Sequence, residues 1–246
     1  MLEKFEFVKP EEIEKQSMSI IEAELRRKKM TGRFTPEEMA VVKRCIHTSA
    51  DFDYGDNLCF SGRNGTDACR TGIKALNSGA HIVTDTTMAA SGINKRLLGK
   101  LGGRVHCFIG DEDVALQAGR LGTTRSAVSM AKAAAMDVPL IFAIGNAPTA
   151  LISLYELMQQ GKVRPELIIG VPVGFVNVVE SKELIMGADV PYIIARGRKG
   201  GSNIAAAICN ALMYYGQSEE KNRGKESGTD YSHGTPADIQ SAGMVD

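Results

Sequence analysis

Residues 140–151 read LIFAIGNAPTAL, and this stretch decides the fold class. Leu140-Ile141-Phe142-Ala143-Ile144 is an unbroken apolar run of strand length, with no polar residue alternating through it. A strand of that composition is covered on both faces, as in a parallel sheet. The glycine-bearing turn Gly145-Asn146-Ala147-Pro148-Thr149 then enters a helical pattern over Thr149–Gln160. A strand, a tight turn and a helix in succession are half of a right-handed βαβ crossover.

Outward from this unit the same alternation repeats. Further strands are expected at His81–Thr84, Val105–Ile109, Leu167–Val171 and Tyr192–Ala195, and helices at Val114–Leu121, Ser126–Met136, Val176–Met186 and Asn203–Tyr215. The expected architecture is a three-layer α/β/α domain with a mainly parallel five-stranded sheet. Two helices precede it. In the first, Ile13, Ser17, Ile20, Ile21 and Leu25 recur with helical spacing. The second begins cleanly, with Thr35 as N-cap, Pro36 at the first helical position and Glu38 three residues after the cap. Its apolar stripe runs through Met39, Val42 and Ile46, and it is expected to end near His47, before a polar loop over residues 51–65. From Gln217 to Asp246 large apolar residues become scarce, which predicts one domain over residues 1–216 and a flexible or loosely docked tail over 217–246.

Composition narrows the function. Lys and Arg number 29 and so do Asp and Glu, so the chain lacks the basic excess of a nucleic-acid-binding protein. The N-terminal residues MLEKFEFVKPEEIEK carry charges too early for a secretory signal, and the longest apolar stretch, Val138 to Tyr155, is interrupted by Gly145, Asn146 and Pro148. The five cysteines form no CxxC pair and no metal-ligand set, as expected of reduced residues in a cytoplasmic protein.

Ligands of an open parallel sheet bind beyond the carboxyl ends of its strands. Those ends carry Asp85-Thr86-Thr87-Met88, Gly110-Asp111, Gly145 to Thr149, Gly170-Val171-Pro172-Val173-Gly174, and Arg196-Gly197-Arg198-Lys199-Gly200-Gly201-Ser202. Glycine turns that enter helices expose backbone N–H groups to anions, and two arginines in the last turn can clamp carboxylates. Gly122-Thr123-Thr124-Arg125-Ser126 adds hydroxyls and a guanidinium at another helix start. Together these fit a ligand with several carboxylates or phosphates, although glycine turns also serve short βα connections. No GxGxxG follows a strand, and neither GxxxxGK[ST] nor GxSxG occurs. Of the four histidines, His81 and His106 fall in strands and His233 in the tail, whereas His47 closes a helix beside Thr48-Ser49-Ala50-Asp51. A helix-terminal histidine is more often a dipole partner than a catalyst, yet His47 is the well-placed group able to exchange a proton near neutral pH.

These segments resemble the precorrin-8x methylmutase family, also called cobalt-precorrin-8 methylmutase. The likeness runs over roughly residues 9–215 and is carried by Ile13-Glu14-Lys15-Gln16-Ser17, Arg44-Cys45-Ile46-His47-Thr48, Leu121 to Ser126, AIGNAPTAL (143–151), GVPVGFV (170–176), Glu180-Ser181-Lys182-Glu183 and RGRKGGS (196–202). The resemblance implies a cofactor-free isomerase of cobalamin biosynthesis, moving a methyl group from carbon 11 to carbon 12 of the macrocycle. It implies His47 as proton donor and Arg125 as its catalytic companion. Substrate contacts are expected from Ser17, Thr48, Asp85, Thr124, Ser126, Asn146, Gly174, Arg196, Arg198 and Gly201. It also implies a corrinoid polycarboxylate as partner and a homodimer, with no nucleic acid and no membrane. The chain departs from the family at Met18, where an aromatic is common, and in the small residues of 86–91. A corrinoid-binding or product-handling protein without turnover is the alternative. Ignoring the resemblance, a generic α/β enzyme acting on a phosphorylated metabolite also remains open.

Overall fold

The five apolar runs all form strands in the computed structural model, which describes residues 8–62 and 67–226. In chain order the strands are β1 (Leu58–Phe60), β2 (His81–Thr84), β3 (Val105–His106), β4 (Leu140–Ile144), β5 (Leu167–Gly170) and β6 (Tyr192–Ala195). They make one sheet in the order β1-β6-β5-β4-β2-β3, parallel throughout except for the antiparallel pair β1–β6. Among the described residues the sheet therefore has six strands rather than five. Leu58-Cys59-Phe60, read from sequence as part of a polar loop, is the additional edge strand. Three residues are too few to show a period, and register with Ala195, Ile194 and Ile193 makes them a strand.

The helices are α1 (Pro10–Arg27), α2 (Pro36–Ser49), α3 (Tyr54–Asn57), α4 (Ala68–Asn77), α5 (Thr87–Gly92), α6 (Lys95–Lys100), α7 (Glu112–Leu121), α8 (Arg125–Ala134), α9 (Pro148–Gln159), α10 (Val178–Met186) and α11 (Ser202–Glu226). None is long and apolar enough to cross a membrane. The capping box of α2 is formed: the Glu38 N–H donates to Thr35 Oγ1 at 3.3 Å, and the Thr35 N–H donates to Glu38 Oε2 at 2.9 Å. The helix runs two residues past His47 and stops at Ala50, in the left-handed conformation. Where the sequence reading ends the last helix at Tyr215, α11 continues to Glu226. The apolar period lapses there, but Gln, Glu and Lys remain good helix formers. Residues 227–246 of the expected tail lie outside the described residues.

Alternate residues of each strand enter opposite cores, as the two-residue side-chain period requires. Ile141, Ala143, Leu167, Ile169 and Ile193 pack on one side with α1, α2, α4, α5, α6 and α11. Leu140, Phe142, Ile144, Ile168 and Ile194 pack on the other with α8, α9 and α10. The central strands are thus buried on both faces, which is why their sequences are apolar runs. Strands β2 and β4 are neighbours, but α5 leaves β2 on the first face and α9 leaves β4 on the second. Such a reversal opens a crevice between their carboxyl ends.

At the far edge, His81 Nδ1 and His106 Nε2 are 2.9 Å apart, so one ring donates and the other accepts. Burial lowers the pKa of both, helped by Arg104 and, for His106, by His81. A histidine whose folded pKa lies below its unfolded value contributes stability above the unfolded pKa, near 6.5, and loses it as pH falls toward the folded value. The urea midpoint is expected to fall between pH 7.5 and 5.5. In His106→Phe that fall should shrink, at a cost of about 1 kcal/mol for the lost hydrogen bond at neutral pH. Equal slopes for the two proteins would assign the acid sensitivity to other groups.

Candidate active site

Asp85, at the carboxyl end of β2, turns toward the loop that follows β4. The residue is 1% exposed, and its carboxylate accepts the N–H groups of Gly145 at 2.9 Å, Asn146 at 2.8 Å and Ala147 at 2.6 Å. Burial pushes its pKa up against the pull of these three donors. Both oxygens are occupied by backbone, so Asp85, expected from sequence to contact substrate, is a brace that shapes the turn after β4.

The neighbouring turns interlock with this one. A Cβ on Gly145 would lie 2.6 Å from Ser202 Cα, so the turn after β4 touches the start of α11 only because the residue is glycine. A Cβ on Gly200 would overlap the carbonyl oxygen of Val171, which ties the turn after β6 to the turn after β5 in the same way. The Gly201 N–H donates to Val171 O at 2.9 Å, and the Gly174 N–H to Arg198 O at 3.2 Å. Gly201 is buried and Gly174 half-buried, so both serve chiefly to pack the turns together. Thr86 Oγ1 and Ser202 Oγ share a hydrogen bond of 2.7 Å, joining β2 to α11.

Cations line this edge. Arg196 and Arg198 are exposed; the Arg196 N–H is anchored to Asn57 O at 2.7 Å, and the Arg198 guanidinium lies 5.3 Å from the centre of the Phe175 ring. Thr124 caps α8 through the Ala127 N–H and donates its own hydroxyl to Thr149 at 3.0 Å. That bond brings Arg125, exposed, and Ser126, half-buried, beside the turn holding the exposed Asn146. Phe175 is 81% exposed and Met88 is 69% exposed, so apolar surface accompanies the charge.

His47 arrives by a different route. Lys199 donates to Asp51 at 2.6 Å and to Asp53 at 2.5 Å, just beyond the end of α2. The pair of carboxylates raises the pKa of Lys199, and Lys199 in turn holds Asp51 below the usual carboxylate range. The carboxyl end of α2 is thereby tethered to the turn after β6. His47 and Thr48 are exposed there, with the Thr48 hydroxyl donated to Arg44 O.

Ser17 is less firmly joined to this group. Its hydroxyl donates to Ile13 O within α1 at 2.9 Å. The link to the edge is indirect: Glu14, one turn before Ser17, pairs with Arg44, one turn before His47, at 2.7 Å. A cavity of about 700 Å³ bordered by Met158, Arg164, Asp189 and Tyr192 lies at the opposite end, where strands begin, away from all these groups.

Sequence reasoning gave no role to Lys182. It is 1% exposed on α10, and its Nζ donates to Gly197 O at 2.7 Å and Lys199 O at 2.9 Å. Burial lowers its pKa to about 8. The signal was present: Val178, Ser181, Lys182 and Ile185 recur with helical spacing, which places a lysine on the buried stripe.

Comparison with known proteins follows the same segments. The family profile described as Precorrin-8X methylmutase matches residues 12–215. The chain is 46% identical over 208 residues to the "Cobalt-precorrin-8 methylmutase" of Salmonella typhimurium, covering 84% of this chain and 95% of that protein. It is 43% identical over 178 residues to the "Precorrin-8X methylmutase" of Pseudomonas aeruginosa, covering 72% and 82%. Among solved structures, that titled "Crystal Analysis of Precorrin-8x Methyl Mutase from Thermus Thermophilus" superposes with a TM-score of 0.75 at 38% identity, over 84% of this chain and 96% of the other. With its AIGNAPTAL, GVPVGFV and RGRKGGS turns gathered at one sheet edge, the chain belongs to the precorrin-8X methylmutase family, a family of isomerases.

Proposed function

We propose that the carboxyl edge of the sheet binds precorrin-8x or its cobalt form and moves a methyl group from carbon 11 to carbon 12, giving hydrogenobyrinate or cobyrinate. The observation that carries this reading is the set of exposed guanidiniums of Arg125, Arg196 and Arg198. None has an ion-pair partner among the described residues, and Asn146, Phe175 and Met88 accompany them. That surface matches a flat apolar ring rimmed by carboxylates.

The reaction is an isomerisation, so no atom is gained or lost. His47 donates a proton to a ring nitrogen, the conjugated ring becomes electron-poor, and the methyl group migrates within the bound substrate. The proton then returns to His47 and the product leaves. Arg125 holds a carboxylate and so fixes the ring's orientation, and the bound conformer supplies much of the rate gain. Thr48, next to His47 on α2, and Ser17, on α1, add hydroxyl contacts to the bound substrate. Chemistry of this kind fits a homodimer working in the cytoplasm, both inferred from the family.

Incubation with precorrin-8x and with cobalt-precorrin-8, followed by absorption spectra and product mass, tests the reading. Appearance of the corrin chromophore at unchanged mass is the expected result. Binding of both forms without conversion would leave a corrinoid-handling protein instead, and absence of binding would overturn the assignment.

A further inference from the structure

Lys182 is a buried cation with an unusual set of partners. A buried ammonium is normally matched by a carboxylate, because desolvation is costly when only one sign of charge is present. Here both bonds go to backbone carbonyls of one turn, Gly197 and Lys199, and among the described residues no carboxylate pairs with the ammonium. A hydrophobic side chain of similar length would fill the site at lower cost. The reason for an ammonium therefore lies in what it holds.

We propose that Lys182 is a positioning residue for substrate binding: by drawing the carbonyls of Gly197 and Lys199 inward, it holds the turn Arg196–Gly201 in the form that offers Arg196 and Arg198 to the substrate's carboxylates. The proposal rests on the isomerase reading for the identity of the ligand. The Gly200–Gly201 end of the turn is already tied to Val171, but Gly197, between the two arginines, has a positive φ of 76° and its carbonyl is held by Lys182. Glycine-rich backbone is free to adopt many forms when nothing fixes it. Carbonyl oxygens facing outward would also repel the anionic groups that the two guanidiniums attract. Lys182 removes two of those oxygens and leaves Arg196 and Arg198 exposed.

The hold depends on pH. Burial brings Lys182 to about 8, so the ammonium loses its charge just above neutrality and the two bonds lose their charge assistance. The elements packed around it carry other titratable groups. Glu180 and Glu183 of α10 and Glu156 of α9 are exposed to solvent. Tyr155 and Tyr192 pack against the apolar cluster, and Asp51 and Asp53 keep Lys199 protonated to higher pH.

The test measures kcat and KM for precorrin-8x from pH 7 to 9.5 in the wild type, Lys182→Met and Lys182→Arg. Wild-type KM should rise several-fold across this range. In Lys182→Met, KM should already be about tenfold higher at pH 7, the worth of one charge-assisted bond, with no further rise and kcat within about twofold. Lys182→Arg, charged at every pH, should recover part of the affinity and flatten the profile. A folded Lys182→Met with wild-type KM and wild-type pH dependence would overturn the proposal. Should that variant fail to fold, Lys182→Gln, which keeps one donor, carries the comparison, and a wild-type KM constant to pH 9.5 overturns the proposal by itself. An inactive wild type would count against the isomerase reading; the role of Lys182 is then decided by the affinity for cobyrinic acid, expected to show the same tenfold loss in Lys182→Met.

Discussion

His47→Ala is expected to lower kcat for precorrin-8x by about 10²- to 10⁴-fold, the range associated with loss of a general acid. The variant should fold normally, because His47 is an exposed residue on the last turn of α2. Helix α2 is secured elsewhere, by its capping box and by Val41, Val42, Cys45 and Ile46, all buried in the core. The effect should therefore appear in kcat with little change in thermal midpoint. KM should change modestly, since the guanidiniums that hold the carboxylates are untouched. Conversion followed by absorption spectroscopy checks this, with product mass as the control for side reactions. Near-normal turnover in His47→Ala would move the proton donor to another group. A loss that appeared only in KM would make His47 a binding residue.

The second large effect concerns stability. Asp85→Ala is expected to destabilise the protein by at least about 3 kcal/mol, because three backbone N–H groups lose a charged acceptor in a buried site. For a chain of this size that corresponds to a fall in melting temperature of roughly 6–12 °C. Asp85→Asn should lie between, since the amide keeps one acceptor oxygen but points an N–H₂ at another donor. The same substitutions should also weaken substrate binding, because Asn146 sits in the turn that Asp85 shapes. Denaturant unfolding of the two variants measures the effect. A change below about 1 kcal/mol for Asp85→Ala would mean that the pairing of β4 with β2 and β5 holds the turn without it.

The two predictions separate what was legible in the linear chain from what was not. His47 stood out because a helix-ending histidine beside polar residues is a local feature, and the family segments around it are contiguous. Asp85 also stands out, at the end of a strand, but the local sequence does not set its direction. Whether a carboxylate at that point faces ligand or folds back depends on a turn 60 residues away. Lys182 lies in a segment that carries the family resemblance, but nothing local in that segment assigns it a role. Its acceptors, Gly197 and Lys199, lie 15 and 17 residues along the chain, and only the packing of α10 against β6 brings them within reach.

By itself, the sequence determined the parallel sheet and its crossovers, because strands buried on both faces must be apolar throughout and glycine turns must follow them. It also determined the start of α2, where cap and first-turn residues interact over three positions, and the family, through motifs that are contiguous runs. Tertiary structure alone decided the edge strand β1, the inward turn of Asp85, the tether from Lys199 to Asp51 and Asp53, and the burial of Lys182. Each of these is a contact between residues far apart in the chain, whose energy depends on distance and desolvation rather than on neighbouring residues. Local pattern can nominate such groups, but it contains neither the partner nor the depth of burial that gives the contact its strength.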